Sequence, residues 1–202
     1  AIDNDANVAA LAEQRFGAAK GKSDVVLLTL GTGVGGGVVI GGKGFRGSTG
    51  AGAELGHMTV LADGPPCQGN CPNRGCLETL CSGTAIARDA TALAAERPQS
   101  ALAAVVAEGR DLTGAIVTEL AAGGDEDATA VLARAGHYLG TGIVSLINIF
   151  NPEAVVIGGG AAAAGELMLD PAREVVAERA LSPSKRQCEI VPAAFGAEAG
   201  ML

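Results

Sequence analysis

The sequence predicts an α/β fold from three observations. Residues 25–40, VVLLTLGTGVGGGVVI, hold two apolar, β-branched runs separated by glycines, a pattern that predicts two strands joined as a hairpin. Residues 154–160, AVVIGGG, predict a strand that runs into a glycine turn, and the helical pattern after them completes a βα unit. Between these segments, Ala, Leu and Val recur with the amphipathic spacing of helices.

Composition narrows the range of functions. The chain has 202 residues, enough for one sizeable domain or two small ones. A formal net charge of −8 and the lack of a Lys/Arg run argue against binding to nucleic acid. No stretch approaches the roughly 20 uninterrupted apolar residues that cross a bilayer, and nothing at the start reads as a secretion signal. We therefore expect a cytoplasmic protein without a membrane partner.

The first predicted helix follows three short polar residues and ends at Gly17. Asp3, Asn4 and Asp5 can cap its free N–H groups. One such residue would suffice for a cap, and three consecutive acceptors also suit a site that grips a hydroxyl-rich ligand. Both interpretations remain open at this point.

The glycine-rich hairpin suggests an anion site. The glycines at 31, 33, 35, 36 and 37 are too many for one tight turn. A loop of this kind exposes N–H groups that can form an anion nest, and Thr32 adds a hydroxyl, so we expect a phosphate cradle. The segment is neither a Walker A loop nor a dinucleotide fingerprint. A purely structural glycine hairpin is an equally good interpretation.

Residues 50–78 hold four potential soft-metal ligands among turn-forming prolines and glycines: His57, Cys67, Cys71 and Cys76. One imidazole and three thiolates make a closed tetrahedral set for a structural zinc ion. Disulfides or unrelated buried thiols are the alternatives. The odd total of five cysteines and the lack of a secretion signal argue against disulfides. Folding this loop around a metal would bring the carboxylates of Glu54 and Glu78 to its edges.

The remaining elements are mostly helical. Amphipathic spacing runs from Thr79 to about Leu120, with breaks near Pro98 and residues 109–111, and a longer helix is expected from about Asp125 to Phe150. The glycine turn at Gly158, Gly159 and Gly160 precedes a helix at about 166–180, and such turns favour approach of a phosphate or nucleotide. A plain tight turn is the alternative there. A last short strand is expected at 188–191.

Five motifs together resemble the ROK family of bacterial sugar kinases and repressors, and most closely its glucokinases: DNDAN, LGTGVGGG, GSTGAGAELGH, RGCLE and VVIGGG. The resemblance implies an actin-like, ribonuclease H-like ATPase fold, a mixed sheet flanked by helices, that binds ATP, Mg²⁺ and a hexose. It implies that Asp5 is the general base, and that Asn4, Glu54, His57 and Glu78 hold the sugar. Gly31, Thr32 and Gly33 match the phosphate-binding turn, and Gly158, Gly159 and Gly160 the segment near adenosine.

Two departures from the family pattern affect these expectations. The family spacing is C-x-C-G-x-x-G-C, whereas two extra residues separate Cys67 from Cys71, so Cys67 is the ligand out of register. The family's N-terminal half with its phosphate motif is missing, so residues 1–202 are expected to be the larger C-terminal domain of a kinase, in a dimer or tetramer. Glucose is the leading substrate. The alternative is the core of a sugar-sensing repressor whose DNA-binding domain is missing.

Overall fold

A five-stranded mixed sheet lies at the centre of the fold. The structure, a computed structural model, describes residues 4–195. The strands are Val25–Leu30 (β1), Val34–Ile40 (β2), Lys43–Gly44 (β3), Ala154–Gly158 (β4) and Glu189–Pro192 (β5). The helices are Asp5–Phe16 (α1), Glu78–Cys81 (α2), Gly83–Glu96 (α3), Ala101–Ala107 (α4), Gly114–Ala122 (α5), Glu126–Phe150 (α6), Glu166–Arg179 (α7) and Ser184–Gln187 (α8). Two short 3-10 helices span Leu55–His57 and Gly160–Ala164.

The sheet order is β3-β2-β1-β4-β5, with β1 at the centre. β1 pairs antiparallel with β2 as the predicted hairpin. It pairs in parallel with β4, in a register that places Thr29 opposite Gly158. β5 adds to β4 in parallel. Because β1 and β4 run the same way, their carboxyl ends, and the glycine turns that follow them, lie side by side at one edge of the sheet.

The two faces of the sheet bury separate apolar clusters. Val26, Leu28 and Leu30 of β1 face the larger cluster, to which α3, α5, α6 and α7 contribute. Val25 and Leu27 point to the opposite face, against Ala9 and Ala10 of α1. The alternation follows from the two-residue period of a strand. Both faces are covered by helices, which confirms the predicted α/β class.

Side-chain caps account for the predicted breaks between helices. Polar side chains at five helix starts each accept a hydrogen bond from a backbone N–H of the first turn: Asn4 (α1), Ser82 (α3), Ser100 (α4), Thr113 (α5) and Asp125 (α6). Each satisfies a donor that has no partner within the helix. The amphipathic run from Thr79 therefore divides into α2 to α5.

The longest helix, α6, is a core element. By length and composition it could span a membrane, and 56% of its most apolar 18-residue window is buried. It packs against α7 so closely that a Cβ atom at Gly140 would lie 2.6 Å from the Ala172 carbonyl oxygen. Its apolar character is explained by this packing.

The structure corrects the prediction for the glycine-rich segment. Gly35, Gly36 and Gly37 lie inside β2, paired with Thr29, Leu28 and Leu27, and not in an exposed loop. Only residues 31–33 form the turn. We call Gly35–Gly37 the glycine strip. It allows main chain to approach the sheet on both faces, which glycine periodicity alone did not indicate.

The glycine strip positions two segments that carry polar groups. A Cβ atom at Gly37 would lie 2.5 Å from the Ala6 carbonyl oxygen of α1. On the other face, a Cβ atom at Gly36 would lie 2.6 Å from the Ala53 carbonyl oxygen, in the loop before the first 3-10 helix. Since real Cβ atoms do not approach other atoms so closely, a side chain here would displace α1 or the loop.

We expect Gly36→Ala and Gly37→Ala each to lower the free energy of unfolding by about 1–3 kcal/mol, because an extra methyl group overpacks the contact. Chemical denaturation measures the change. Gly44→Ala in β3 is the matched control, since its Cβ atom would meet only the flexible Leu11 side chain, at 3.4 Å. Equal stability of all three variants would contradict the close packing of the strip.

A carboxylate joins the starts of β1 and β4. The side chain of Glu153 accepts hydrogen bonds from the backbone N–H groups of Ser23 and Asp24, and these bonds lower its pKa. A carboxyl group whose pKa is lowered by folding stabilises the protein above its unfolded pKa, about 4.3, and the contribution disappears as the pH falls through the folded value.

We therefore expect Glu153→Gln to be less stable than the parent chain at neutral pH, with the difference shrinking as the pH falls from about 5 to 3. Urea denaturation across this range measures it. Glu119→Gln, at an exposed position of α5, is the control. A stability difference that does not vary with pH would mean that the Glu153 charge does not strengthen these bonds.

Candidate active site

A cleft of about 380 Å³ lies at the C-terminal end of β1. Ligand sites in α/β sheets favour this edge, and the volume falls within the usual range for small-molecule pockets. The cleft is lined by Asp5, Thr29, Gly31, Thr32, Gly33, Val34, Gly35, Glu54, His57, Glu78 and Gly159. Residues predicted from five separate segments of the sequence therefore meet in one place.

Asp5 and Asn4 divide the two roles proposed for the first polar segment. The side chain of Asn4 caps α1, accepting from the backbone N–H of Ala6 at 2.9 Å. Asp5 is the first residue of α1; its Oδ1 also accepts from that N–H, at 2.8 Å, and the residue lines the cleft. Asn4 is outside the cleft lining, and Asp3 lies outside the described residues. Because Asn4 already caps the helix, Asp5 is not needed for that purpose.

Glu54 is held at the apex of a tight turn. The backbone N–H of Leu55 donates to the carbonyl of Ala53 at 2.7 Å, and Glu54 between them has φ −70° and ψ 58°, the geometry of an inverse γ-turn. Ala53 itself has a positive φ of 68°. Such a conformation is uncommon for a residue other than glycine. The turn presents the exposed Glu54 side chain to the cleft.

Glu78 links the cysteine-containing loop to the hairpin. It is the first residue of α2, and its Oε2 accepts a hydrogen bond from the backbone N–H of Val34 at 2.9 Å. The carboxylate fills the space in which a Cβ atom of Gly33 would lie. A side chain at Gly33 would therefore displace the Glu78 carboxylate from this position.

The first glycine turn is closed on itself and held from outside. The N–H of Gly31 donates to the carbonyl of Gly33 at 2.9 Å. The carbonyls of Gly31 and Thr32 accept from the backbone N–H of Gly83 and the hydroxyl of Thr84, each at 2.7 Å. Both donors lie in the first turn of α3.

The second glycine turn contributes one residue to the cleft. Gly159 has a φ of 88° and packs on the end of β1, where a Cβ atom would lie 2.5 Å from the Leu30 carbonyl oxygen. Gly158 ends β4 and Gly160 begins a 3-10 helix. Neither of these two glycines lines the cleft.

The four predicted metal ligands converge. One side-chain donor atom from each of His57, Cys67, Cys71 and Cys76 lies within 4.8 Å of all the others. The Cys67 sulfur is 3.4 Å from His57 Nδ1, and the Cys71 and Cys76 sulfurs are 4.0 Å apart. On one tetrahedral zinc ion, two thiolate sulfurs lie about 3.8 Å apart and a sulfur and an imidazole nitrogen about 3.5 Å. The donor set therefore fits zinc, and Cys67 belongs to the cluster despite its shifted register.

Short backbone bridges fold the loop around this cluster. Thr59 pairs with Cys76 and Pro66 with Arg74 as isolated β-bridges. Burial raises the pKa of the Cys76 thiol to about 12, whereas a backbone hydrogen bond at Asn73 lowers the pKa of Cys71. As predicted, the loop has little regular structure, and a closed set of ligands would hold it.

The cleft is acidic. Asp5, Glu54 and Glu78 contribute three carboxylates, and among the described residues that line the cleft none is Lys or Arg. Carboxylates are good acceptors for pairs of hydroxyl groups. An anionic ligand would instead need backbone N–H groups and a cation to offset this charge.

Sequence reasoning missed three residues of this site. Thr29 lines the cleft, and its one signal was a hydroxyl within an otherwise apolar strand. Gly83 and Thr84 contact the glycine turn from a segment that was predicted only as helical. Contacts across about 50 residues leave no mark in local periodicity.

The sheet and site define a class of protein. A mixed α/β sheet flanked by helices, with glycine turns and acidic groups at the carboxyl edge of its central strands, is the arrangement of actin-like ATPase domains related to ROK kinases. Comparison with known proteins identifies the family. The chain belongs to the ROK family, whose pattern it matches over residues 1–202. The resemblance inferred from the five motifs is thereby confirmed.

Relatives include both enzymes and regulators. The chain is 42% identical over 202 residues to a glucokinase of Halalkalibacterium halodurans, covering all of this chain and 61% of the relative. A crystal structure of a ROK family glucokinase from Streptomyces griseus, in complex with glucose and AMPPNP, superimposes with a TM-score of 0.89 at 37% identity, covering 98% of this chain and 64% of that one. The xylose repressor of Bacillus subtilis is 31% identical over 201 residues, covering all of this chain and 48% of the repressor. The chain thus spans less than two thirds of the length of each.

Proposed function

We propose that the protein carrying this chain transfers the γ-phosphoryl group of ATP to a hexose, with glucose converted to glucose 6-phosphate. The observation that carries the proposal is the cleft, in which Asp5, three further sugar-binding candidates and the Gly31–Gly33 turn line one space. Phosphoryl transfer needs positioning and charge stabilisation more than covalent chemistry. The glucokinase relatives, one of them solved with glucose and AMPPNP, support this reaction and this sugar.

In the proposed mechanism Asp5 is the general base. It accepts the proton of the sugar 6-hydroxyl while that oxygen forms a bond to the γ-phosphorus, and the bond from phosphorus to the departing ADP oxygen breaks. Glu54 and Glu78 accept hydrogen bonds from other hydroxyl groups, and His57 donates one. We also assign Asn4 to the sugar, although it lies outside the cleft lining. Glu78 is oriented for this role by its bond from Val34.

The nucleotide is proposed to lie against the two glycine turns. In the turn of Gly31, Thr32 and Gly33, the N–H groups of Thr32 and Gly33 would donate to phosphate oxygens, because that of Gly31 closes the turn on the Gly33 carbonyl. The segment of Gly158, Gly159 and Gly160 would approach the adenosine. Because the cleft carries three carboxylates and no described Lys or Arg, the triphosphate requires a divalent cation. Mg²⁺ supplies that charge in phosphoryl transfer.

We further propose that His57, Cys67, Cys71 and Cys76 hold one structural zinc ion. Nδ1 of His57 faces the Cys67 sulfur, so its Nε2 remains to donate a hydrogen bond, and the residue also lines the cleft. A metal-bound imidazole has its tautomer and orientation fixed. The same residue can therefore serve as metal ligand and sugar contact.

A sugar-sensing repressor core is the second candidate. The similarity to a xylose repressor over the full length of this chain favours it. A sensor must hold the sugar hydroxyls but has no use for a base beside the 6-hydroxyl. Asp5 in the cleft lining therefore supports the kinase.

For the protein as a whole, we propose that this chain is its larger C-terminal domain, in a cytoplasmic homo-oligomer.

Asp5→Asn in the full-length protein tests the mechanism. The substitution removes the proposed proton acceptor but leaves the Asn4 cap of α1 in place. We expect kcat to fall by about 10²–10⁴, with the Kd for glucose, measured by calorimetry, changing much less. Glu78→Gln is the contrasting variant and should raise KM for glucose more than it lowers kcat. Near-full turnover of Asp5→Asn would contradict the base and favour the repressor.

Metal analysis tests the zinc proposal. We expect about one zinc per chain in the purified protein and loss of most of it in Cys76→Ser, because a closed site needs all four ligands. Cys81→Ser is the matched control, since Cys81 is equally buried but lies outside the cluster, and its thiol donates a hydrogen bond to the Leu77 carbonyl. Far less than one zinc per chain in a folded protein, or equal loss in both variants, would contradict the proposal.

A further inference from the structure

We infer that Thr84 is a positioning residue for the nucleotide, and that it acts through the Gly31–Gly33 turn without touching the ligand. This inference rests on the proposed kinase function. The hydroxyl of Thr84 donates to the carbonyl oxygen of Thr32 at 2.7 Å. Directly beside it, the backbone N–H of Gly83 donates to the carbonyl oxygen of Gly31, also at 2.7 Å. Two consecutive carbonyls of the turn are thus held by consecutive residues of α3.

Peptide planarity transmits this constraint to the other side of the turn. In a trans peptide, the C=O of one residue and the N–H of the next point in opposite directions. Fixing the carbonyls of Gly31 and Thr32 toward α3 therefore fixes the N–H groups of Thr32 and Gly33 away from it. Within residues 4–195, neither of these N–H groups donates to a backbone acceptor.

The geometry of the cleft agrees with this orientation. Thr32 and Gly33 line it, whereas Gly83 and Thr84 do not. The donors that hold the turn consequently lie behind it. A pair of N–H groups fixed in one direction forms an anion-binding nest. Because the turn is already ordered, binding phosphate costs less conformational entropy.

The position of Thr84 in α3 makes the hydroxyl available for this role. Ser82 caps the helix through its bond from the N–H of Ala85, so the cap is already provided. Thr84 is exposed, and its hydroxyl reaches across 52 positions in sequence to the turn. Gly83 is held close to the turn, because a Cβ atom there would lie 3.0 Å from the Gly31 carbonyl oxygen.

The test compares Thr84→Val, which removes the hydroxyl with little change of shape, with Thr84→Ser, which keeps it, in the full-length protein. We expect the Kd for AMPPNP with Mg²⁺ and the KM for ATP to rise about threefold to tenfold in Thr84→Val, the effect of one hydrogen bond. Thr84→Ser should restore values near those of the parent, and the Kd for glucose should not change. Thr91→Val is the matched control, because Thr91 is exposed on the same helix and its hydroxyl donates to Ala87 within it.

The outcomes separate this inference from the proposed function. If the parent protein neither binds AMPPNP nor phosphorylates glucose, the kinase proposal itself fails. If the parent is active and Thr84→Val binds AMPPNP as tightly, the positioning role is overturned alone. It is overturned also if Thr84→Ser is weakened as much as Thr84→Val, or if Thr84→Val loses glucose binding together with thermal stability, since either result would mean a general structural role.

Discussion

The central strand β1 is the constraint on which the site depends. Its antiparallel pairing with β2 forms the hairpin turn at Gly31–Gly33, and its parallel pairing with β4 brings Gly159 beside that turn from a point more than 120 residues further along the chain. Antiparallel partners join through short turns, whereas parallel partners need a long crossover. α2 to α6 occupy that crossover and cover one face of the sheet.

Hydrogen bonds from the segment after the cysteines connect that crossover back to the hairpin. Cys76 lies in the cluster, Leu77 donates its N–H to the carbonyl of Met58, and Glu78 accepts from Val34. Four residues later, Ser82 starts the helix that holds the turn. The ordering of the cysteine-containing loop and the position of the acidic groups are therefore parts of one continuous arrangement. Short backbone bridges and side-chain hydrogen bonds, with little regular secondary structure, set the local loop structure.

The sequence allowed much of the fold and of the site to be predicted, since apolar runs, capping residues and ligand spacing are local signals. The hairpin, the βα unit and the metal-ligand set follow from patterns within about 20 residues of one another. The assignment of Gly35, Gly36 and Gly37 to a loop was wrong, because what requires glycine there is main chain from other segments. Thr29 and Thr84 were missed for the same reason: their roles depend on tertiary contacts, and each looks like an ordinary strand or helix residue in sequence.

The glycine strip also determines which sequence changes could be compensated. At Gly35 the nearest obstacle to a Cβ atom is the hydroxyl of Thr29, a side-chain group that a second mutation could remove. At Gly37 the nearest is the Ala6 carbonyl oxygen, and at Gly36 the Ala53 carbonyl oxygen is among the nearest. Every amino acid carries that carbonyl group, so no exchange at residue 6 or 53 can make room. Gly35 can therefore be replaced if Thr29 changes with it. For Gly36 and Gly37, no substitution of the residue that supplies the carbonyl group would make room for a side chain.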